Sequence, residues 1–138
     1  MTKLLPDTNV LVYETVEDSE HHAEASRIME EAEGIYIPLI VLHEYVWVML
    51  KLSVDPNFIS LKLREYYEDP RVKYVQESPE IIQEALHDLK EKNLNPKQIN
   101  DLIILSIAKK HSLALFTFDR ELITLAYRKG VETIKLNS

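Results

Sequence analysis

The sequence predicts an α/β fold in which a central, mostly parallel sheet of five strands lies between two layers of helices. Short apolar segments rich in β-branched and aromatic residues alternate with longer segments of helical periodicity, and no hairpin turn joins two apolar segments. Strands that alternate with helices pair in parallel, and a parallel sheet is covered on both faces. Because ligands of such sheets bind beyond the carboxyl ends of the strands, functional residues are expected at that edge.

The elements follow from local signals along the chain. The predicted strands are residues 3–5, 35–37, 72–75, 113–118 and 131–136. Gly34 and Gly130 each follow a segment of helical spacing and precede a strand, which is typical of glycines at helix C-termini. Three further helices are predicted to begin at a capping residue followed by proline, at Asp55-Pro56, Ser78-Pro79 and Asn95-Pro96. No composition break or repeat divides the chain, so residues 1–138 are predicted to form a single domain.

Composition excludes several functional classes. The chain has 16 Lys and Arg against 23 Asp and Glu, a net charge of -7, which argues against a broad basic face for nucleic acid but leaves room for a small local site. The absence of cysteine excludes disulfides, thiolate metal sites and cysteine nucleophiles. The two isolated glycines cannot form a dinucleotide fingerprint or a GxxxxGK phosphate loop. No apolar run approaches the roughly 20 residues of a membrane span, and the start does not resemble a signal peptide, so we expect a cytoplasmic protein.

Two carboxylates follow predicted strands. Asp7 comes just after the first strand and Asp119 just after the fourth, so both are expected at the same edge of the sheet. The alternative for each is a helix N-cap, because Asp between a strand and a helix commonly accepts hydrogen bonds from the first turn of that helix.

Two more carboxylates lie on strongly apolar helices. Glu44 interrupts the apolar segment 39–50, where a carboxylate needs a partner, a cleft or a narrow solvated stripe. Asp101 precedes the apolar run 102–108, where its alternative role is to complement the helix dipole. Four converging acids need a cation to offset their repulsion, and Mg²⁺ prefers carboxylates, waters and phosphate oxygens. The set therefore predicts metal-dependent phosphodiester hydrolysis.

These residues resemble, along nearly the whole chain, the PIN-domain ribonucleases, specifically the VapC-like toxins of toxin–antitoxin modules. Each matching segment is short, but their order and spacing are specific. The segments are Leu5-Pro6-Asp7-Thr8-Asn9-Val10-Leu11, Val41-Leu42-His43-Glu44-Tyr45, Asn100-Asp101 with Ile104 and Ala108, and Thr117-Phe118-Asp119.

The resemblance implies a catalytic site that holds Mg²⁺ or Mn²⁺ and cleaves RNA. Its metal-binding acids would be Asp7, Glu44, Asp101 and Asp119, and the residues that support the acids and a bound water would be Thr8, Asn9 and Thr117. The resemblance also implies a homodimer and a small antitoxin protein that blocks the cleft.

Several residues depart from the family pattern or have alternative interpretations. Pro6 replaces an apolar strand residue and removes a ladder donor. Glu121 stands where many relatives place a second Asp, and we interpret it as an exposed helix residue rather than an extra ligand. Arg120, and secondarily Lys97, could contact a substrate phosphate or be ordinary surface charges. His21-His22 is not interpreted as a metal site, because adjacent helical residues point about 100° apart.

The main alternative function is a non-catalytic RNA- or protein-binding module on the same fold. The loss of one acid would have indicated such a module, but all four acids are present. A phosphoacceptor domain would need a second acid after the first strand and an Asp after the third, where Gln76-Glu77-Ser78 stands. A haloacid-dehalogenase-like phosphatase would need an Asp at position 9, where the chain has Asn9.

Overall fold

The computed structural model describes residues 2–137; Met1 and Ser138, which the predicted domain 1–138 includes, lie outside the described residues. Strands and helices alternate along this range. In chain order the elements are β1 (Lys3–Pro6), α1 (Thr8–Thr15), α2 (His22–Glu31), β2 (Gly34–Pro38), α3 (Leu39–Lys51), α4 (Pro56–Glu68), β3 (Val72–Val75), α5 (Pro79–Glu91), a 3-10 helix (Pro96–Gln98), α6 (Ile99–Lys110), β4 (Ala114–Phe116) and α7 (Arg120–Lys129).

The sheet has the strand order β3-β2-β1-β4, and all three pairings are parallel. The chain moves from β1 to β2 to β3 in one direction and then returns past β1 to β4. Right-handed crossovers in these opposite directions place α1 to α4 on one face and α5 and α6 on the other. The packing agrees, since α1 contacts α2 and α3 while α6 contacts α5 and α7. The prediction of a parallel α/β sheet between two helical layers is confirmed.

Within residues 2–137 the structure has four strands where the sequence predicts five. The predicted strand 131–136 forms only an isolated parallel bridge between Thr133 and Leu115. Leu115 donates its N–H to the Glu132 carbonyl and accepts from the Ile134 N–H, both at 2.8 Å. The predicted fourth strand, 113–118, contracts to the three residues of β4, which offers little length for a further strand to pair with.

Two of the three predicted helix starts at proline are α-helix starts. Pro56 and Pro79 begin α4 and α5 behind the caps Asp55 and Ser78, which accept N–H groups of the first turn. Pro96 instead begins the 3-10 helix that leads into α6.

The two glycines differ in role. Gly130 ends α7 in the left-handed region with φ of 80°, as predicted. The prediction was wrong for Gly34, which is the first residue of β2, because α2 already ends at Glu31 with Ala32 as its C-cap. A Cβ added at Gly34 would make only ordinary contact, 3.4 Å from Cγ of Lys3 on β1, so the strand geometry does not require glycine there.

The core packs around β1 and its neighbour β4. Leu4 and Leu5 of β1 and Leu115 and Phe116 of β4 are almost fully buried, and the segment 102–108 of α6 is buried throughout. The end of β1 pairs only with β4, because its pairing with β2 stops at Leu4. Pro6 therefore lies where no ladder donor to β2 is required. Within residues 2–137, no helix has the length and apolar composition needed to cross a membrane.

Candidate active site

The adjacent carboxyl ends of β1 and β4 form the point where the chain connections diverge. The chain leaves β1 toward β2 through α1, whereas it leaves β4 toward the opposite edge of the sheet through α7. Crevices in parallel α/β sheets open at such a divergence. Asp7 immediately follows β1, and Asp119 comes three residues after the last residue of β4.

Asp7 is a buried carboxylate held by two hydrogen bonds. Its Oδ1 accepts the Val10 N–H at 3.0 Å, so Asp7 caps α1, and its Oδ2 accepts the Thr117 hydroxyl. The pKa of Asp7 is raised from 3.8 to about 6: burial is the main cause, the two hydrogen bonds oppose the rise, and the charges of Asp119 and Glu44 add to it. The folded protein therefore favours the ionised form of Asp7 less than the unfolded chain does.

Thr117 connects the two strand ends. Its buried hydroxyl donates to Asp7 and accepts the Asp119 N–H at 3.0 Å. This fixes the backbone that carries Asp119 relative to the Asp7 side chain. Thr8 is also buried and Asn9 is exposed, but neither side chain hydrogen-bonds to the four acids in the described range.

Asp119 is exposed and caps α7 by accepting the N–H groups of Glu121 at 2.9 Å and Leu122 at 3.3 Å. Both acids at the strand ends are thus N-caps, so this alternative from the sequence holds for each. Capping uses only Oδ1 of Asp119, and it leaves lone pairs on both carboxylates. Capping and metal binding are therefore compatible.

Asp101 and Glu44 approach the strand ends from α6 and α3. Asp101, half-buried in the first turn of α6, has a pKa raised from 3.8 to about 6 by burial and then by the charges of Asp119, Asp7 and Glu44. Glu44 is exposed on α3, and its charge acts on both Asp7 and Asp101. The charges of Glu44 and Asp119 raise the pKa of both Asp7 and Asp101, and the charge of Asp7 also acts on Asp101. Within residues 2–137, none of the four acids forms an ion pair with a Lys or Arg.

The donor set matches a hard divalent cation in chemistry, since Mg²⁺ and Mn²⁺ take carboxylate oxygens and water. As they stand, however, no three His, Asp or Glu side chains between residues 2 and 137 lie close enough together to hold one ion. Mutual repulsion and the capping bonds both favour separation of the carboxylates. Their service as metal ligands stays a prediction.

Three further candidates lie around this edge. Arg120 is the exposed first residue of α7 and lines a neighbouring cavity of about 810 Å³. Lys97 is exposed on the 3-10 helix. Glu121 is exposed on α7, as interpreted from the sequence; it accepts a hydrogen bond from Gln98 and raises the pKa of Asp101.

An aromatic cluster beside the acids was missed in the sequence. The rings of Tyr13, His21 and Phe118 pack against one another, and burial followed by the charges of Asp7, Glu20 and Asp119 raises the pKa of Tyr13. The available signal was the position of Phe118 between Thr117 and Asp119 in the sequence.

The adjacent histidines have different partners. His21 belongs to the aromatic cluster, whereas Nδ1 of His22 lies 2.8 Å from the Tyr13 carbonyl. No shared metal site of the kind considered for His21-His22 is present in the described part of the chain.

Comparison with solved structures gives the same fold. VapC20 of Mycobacterium tuberculosis, a sarcin–ricin loop cleaving toxin, is 14% identical with a TM-score of 0.76 over 89% of this chain and 95% of that one. VapBC2 from Rickettsia felis, bound to a DNA fragment from its promoter, is 20% identical with a TM-score of 0.70 over 96% and 98%. A toxin–antitoxin complex from Klebsiella pneumoniae is 23% identical with a TM-score of 0.61 over 85% and 87%.

A search of curated protein sequences found no match to this chain. A family model, in contrast, covers most of it: the PIN domain model matches residues 4–127. The resemblance of the motifs around Asp7, Glu44, Asp101 and Asp119 is thereby confirmed at the level of the family. The chain belongs to the PIN domain family.

Proposed function

We propose that this protein is an endoribonuclease that uses Mg²⁺ or Mn²⁺ at Asp7, Glu44, Asp101 and Asp119 to hydrolyse RNA phosphodiester bonds. The observation that carries the proposal is that the charges of Glu44 and Asp119 act on both Asp7 and Asp101 at the diverging strand ends, where none of the four acids has a Lys or Arg ion-pair partner within residues 2–137. Membership of the PIN domain family supports a nuclease role.

The chain's own residues would act mainly by positioning charge. Thr117 holds Asp7 and the backbone of Asp119 in a fixed relation, and the capping bonds orient both carboxylates. A bound divalent ion would polarise the phosphodiester and lower the pKa of a coordinated water. Because the ion offsets the repulsion among the acids, its binding would return the pKa values of Asp7 and Asp101 toward their ordinary range.

Partners are proposed by analogy with the solved relatives. One relative is described as cleaving the sarcin–ricin loop, and two are toxin–antitoxin assemblies. We infer a cytoplasmic toxin, folded as one nuclease domain and active as a homodimer, that acts on RNA and is blocked by a small antitoxin protein. Arg120 at the start of α7 is the proposed contact for a substrate phosphate, with Thr8, Asn9 and Thr117 as supports for the acids.

A second candidate function is a non-catalytic RNA- or protein-binding module. One observation favours it: the acids in residues 2–137 are too far apart, as they stand, for three of them to share an ion. In that case the acids would serve only as helix caps and surface charges, and divalent ions would have no specific effect.

Cleavage of RNA by the purified protein separates these two functions. We expect cleavage with Mg²⁺ or Mn²⁺, none in excess chelator, and at least a 100-fold loss in Asp7→Asn, because an amide cannot replace an anionic ligand. Asp55→Asn is the matched control, since Asp55 is an exposed helix cap remote from the four acids in sequence and Asn also caps helices. Full activity in chelator, or in Asp7→Asn, would contradict the proposed mechanism.

A further inference from the structure

We propose that the aromatic cluster, formed by Tyr13, His21 and Phe118, is a subsite that binds the base of the RNA nucleotide next to the cleaved phosphate. This inference rests on the proposed function and deepens it, because it assigns a substrate contact outside the four acids. The cluster lies beside those acids, but its residues are not part of the predicted site.

The geometry of the aromatic cluster is suited to a flat ligand. The His21 ring stacks on Phe118 with centroids 4.2 Å apart and an interplanar angle of 9°. Tyr13 contacts both rings edge-on, with centroid distances of 5.0 Å to His21 and 5.5 Å to Phe118. The three rings come from α1, the cap of α2 and the segment between β4 and α7. Their mutual contacts hold the stack in place before a ligand arrives, which lowers the cost of binding.

The stack is open to a cavity. His21 and Phe118 line the cavity of about 810 Å³, a volume within the range of small-ligand pockets. The His21 side chain retains 32% of its exposure, so its ring is accessible. The charges on the cavity wall balance, with two acids and two bases: Glu20, Glu24, Arg120 and Lys135. The half-buried rings of His21 and Phe118 offer a surface on which a base can stack, and the balanced charge of the wall gives little attraction for an isolated phosphate.

The aromatic cluster is next to the acids in space. Phe118 lies between Thr117, which hydrogen-bonds Asp7, and Asp119. The negative charges of Asp7 and Asp119 also act on the Tyr13 hydroxyl. A nucleotide with its phosphate at the acids would therefore direct a neighbouring base toward the cluster. Stacking accepts any base, so this subsite would position substrate without strict sequence selection.

The test uses adenosine monophosphate as the probe and NMR as the readout, in chelator so that no RNA chemistry intervenes. We expect AMP to shift the ring-proton signals of His21 and to leave those of His87 on α5 and His111 after α6 unchanged. His21→Ala should weaken AMP binding roughly 10-fold, whereas His21→Phe should retain it because the ring is kept. His111→Ala is the matched control, since His111 is an exposed histidine at the end of α6.

The outcomes separate this inference from the ribonuclease proposal. Unmoved His21 signals, or equal AMP affinity in His21→Ala and the unaltered chain, would overturn the subsite even if RNA is cleaved. Specific shifts at His21 without any metal-dependent cleavage would support base binding by the aromatic cluster and contradict the ribonuclease function. The shift experiment needs only the unaltered chain, so it decides the question even if His21→Ala fails to fold.

Discussion

Replacing Asp7 by Asn should stabilise the folded protein at neutral pH, although it should abolish the proposed activity. The pKa of Asp7 is raised from 3.8 to about 6, so folding is less favourable with the ionised side chain than with the protonated one. That difference corresponds to about 3 kcal/mol at a pH well above both values, since each pKa unit is about 1.4 kcal/mol. Asn at this position carries no charge and avoids the penalty.

The stability difference between Asn and Asp at position 7 depends on pH through proton linkage. A carboxyl whose pKa is raised on folding contributes full stability below its unfolded value of 3.8, and this contribution is lost as pH rises through about 6. The advantage of Asn over Asp should therefore be near zero at pH 3.5 and complete by pH 7.5. The hydrogen bonds from Thr117 and Val10 lower the pKa of Asp7, and the value of about 6 already includes their effect. The gain from Asn is therefore about 3 kcal/mol at neutral pH, or a Tm increase of roughly 10 °C.

Thermal unfolding followed by circular dichroism in chelator measures this effect. Asp7→Asn and the unaltered chain are compared at pH 7.5 and at the lowest pH where both remain folded, with Asp55→Asn as the control cap. We expect the control to show no comparable pH-dependent gain. A lower Tm for Asp7→Asn at pH 7.5, or the same Tm difference at both pH values, would refute the conclusion that burial of this charge strains the fold.

Three further predictions can be checked on the same protein. Thr117→Val should lower RNA cleavage at least 10-fold and destabilise the fold by about 1 to 3 kcal/mol, because the Asp7 carboxylate loses a buried donor. Cleavage assays and denaturant unfolding measure the two effects. Unchanged activity would argue against a positioning role for Thr117. Added Mg²⁺ should raise the Tm of the unaltered chain more at pH 7.5 than at pH 5, because the ion competes with protons at Asp7 and Asp101; a pH-independent rise would contradict this. Lys129→Met should lower the free energy of unfolding by about 1 to 3 kcal/mol, because the largely buried Lys129 ammonium donates a hydrogen bond to Asp88 on α5. RNA cleavage should be unchanged. A loss of activity at unchanged Tm would contradict a purely structural role for Lys129.

The sequence predicted the layers of this fold and the edge that carries the acids, because both depend on local signals. Periodicity located the first three strands, and the capping pairs before Pro56 and Pro79 located the starts of two helices. The fate of residues 131–136 could not be predicted in this way. Whether an apolar segment becomes a strand or a single bridge depends on the length of its partner, and β4 has only three residues.

The candidate site shows the same division. Asp7 and Asp119 were identified because each follows a strand, and that position fixes where the side chain starts. Tyr13, His21 and Phe118 were not identified as a cluster, because their contacts join segments separated by up to about a hundred residues. The pairing of Gly34 with Lys3 could likewise not be predicted, since it depends on the register of β1 and β2.

Anomalous diffraction from crystals grown with Mn²⁺ shows whether the four acids bind a divalent ion. We predict a manganese peak at the carboxyl ends of β1 and β4, within about 2 to 2.4 Å of carboxylate oxygens that include Asp7. The peak should be absent from crystals of Asp7→Asn under the same conditions. If the unaltered chain cleaves RNA in solution but its crystals show manganese only away from these acids, the four acids are not the metal ligands.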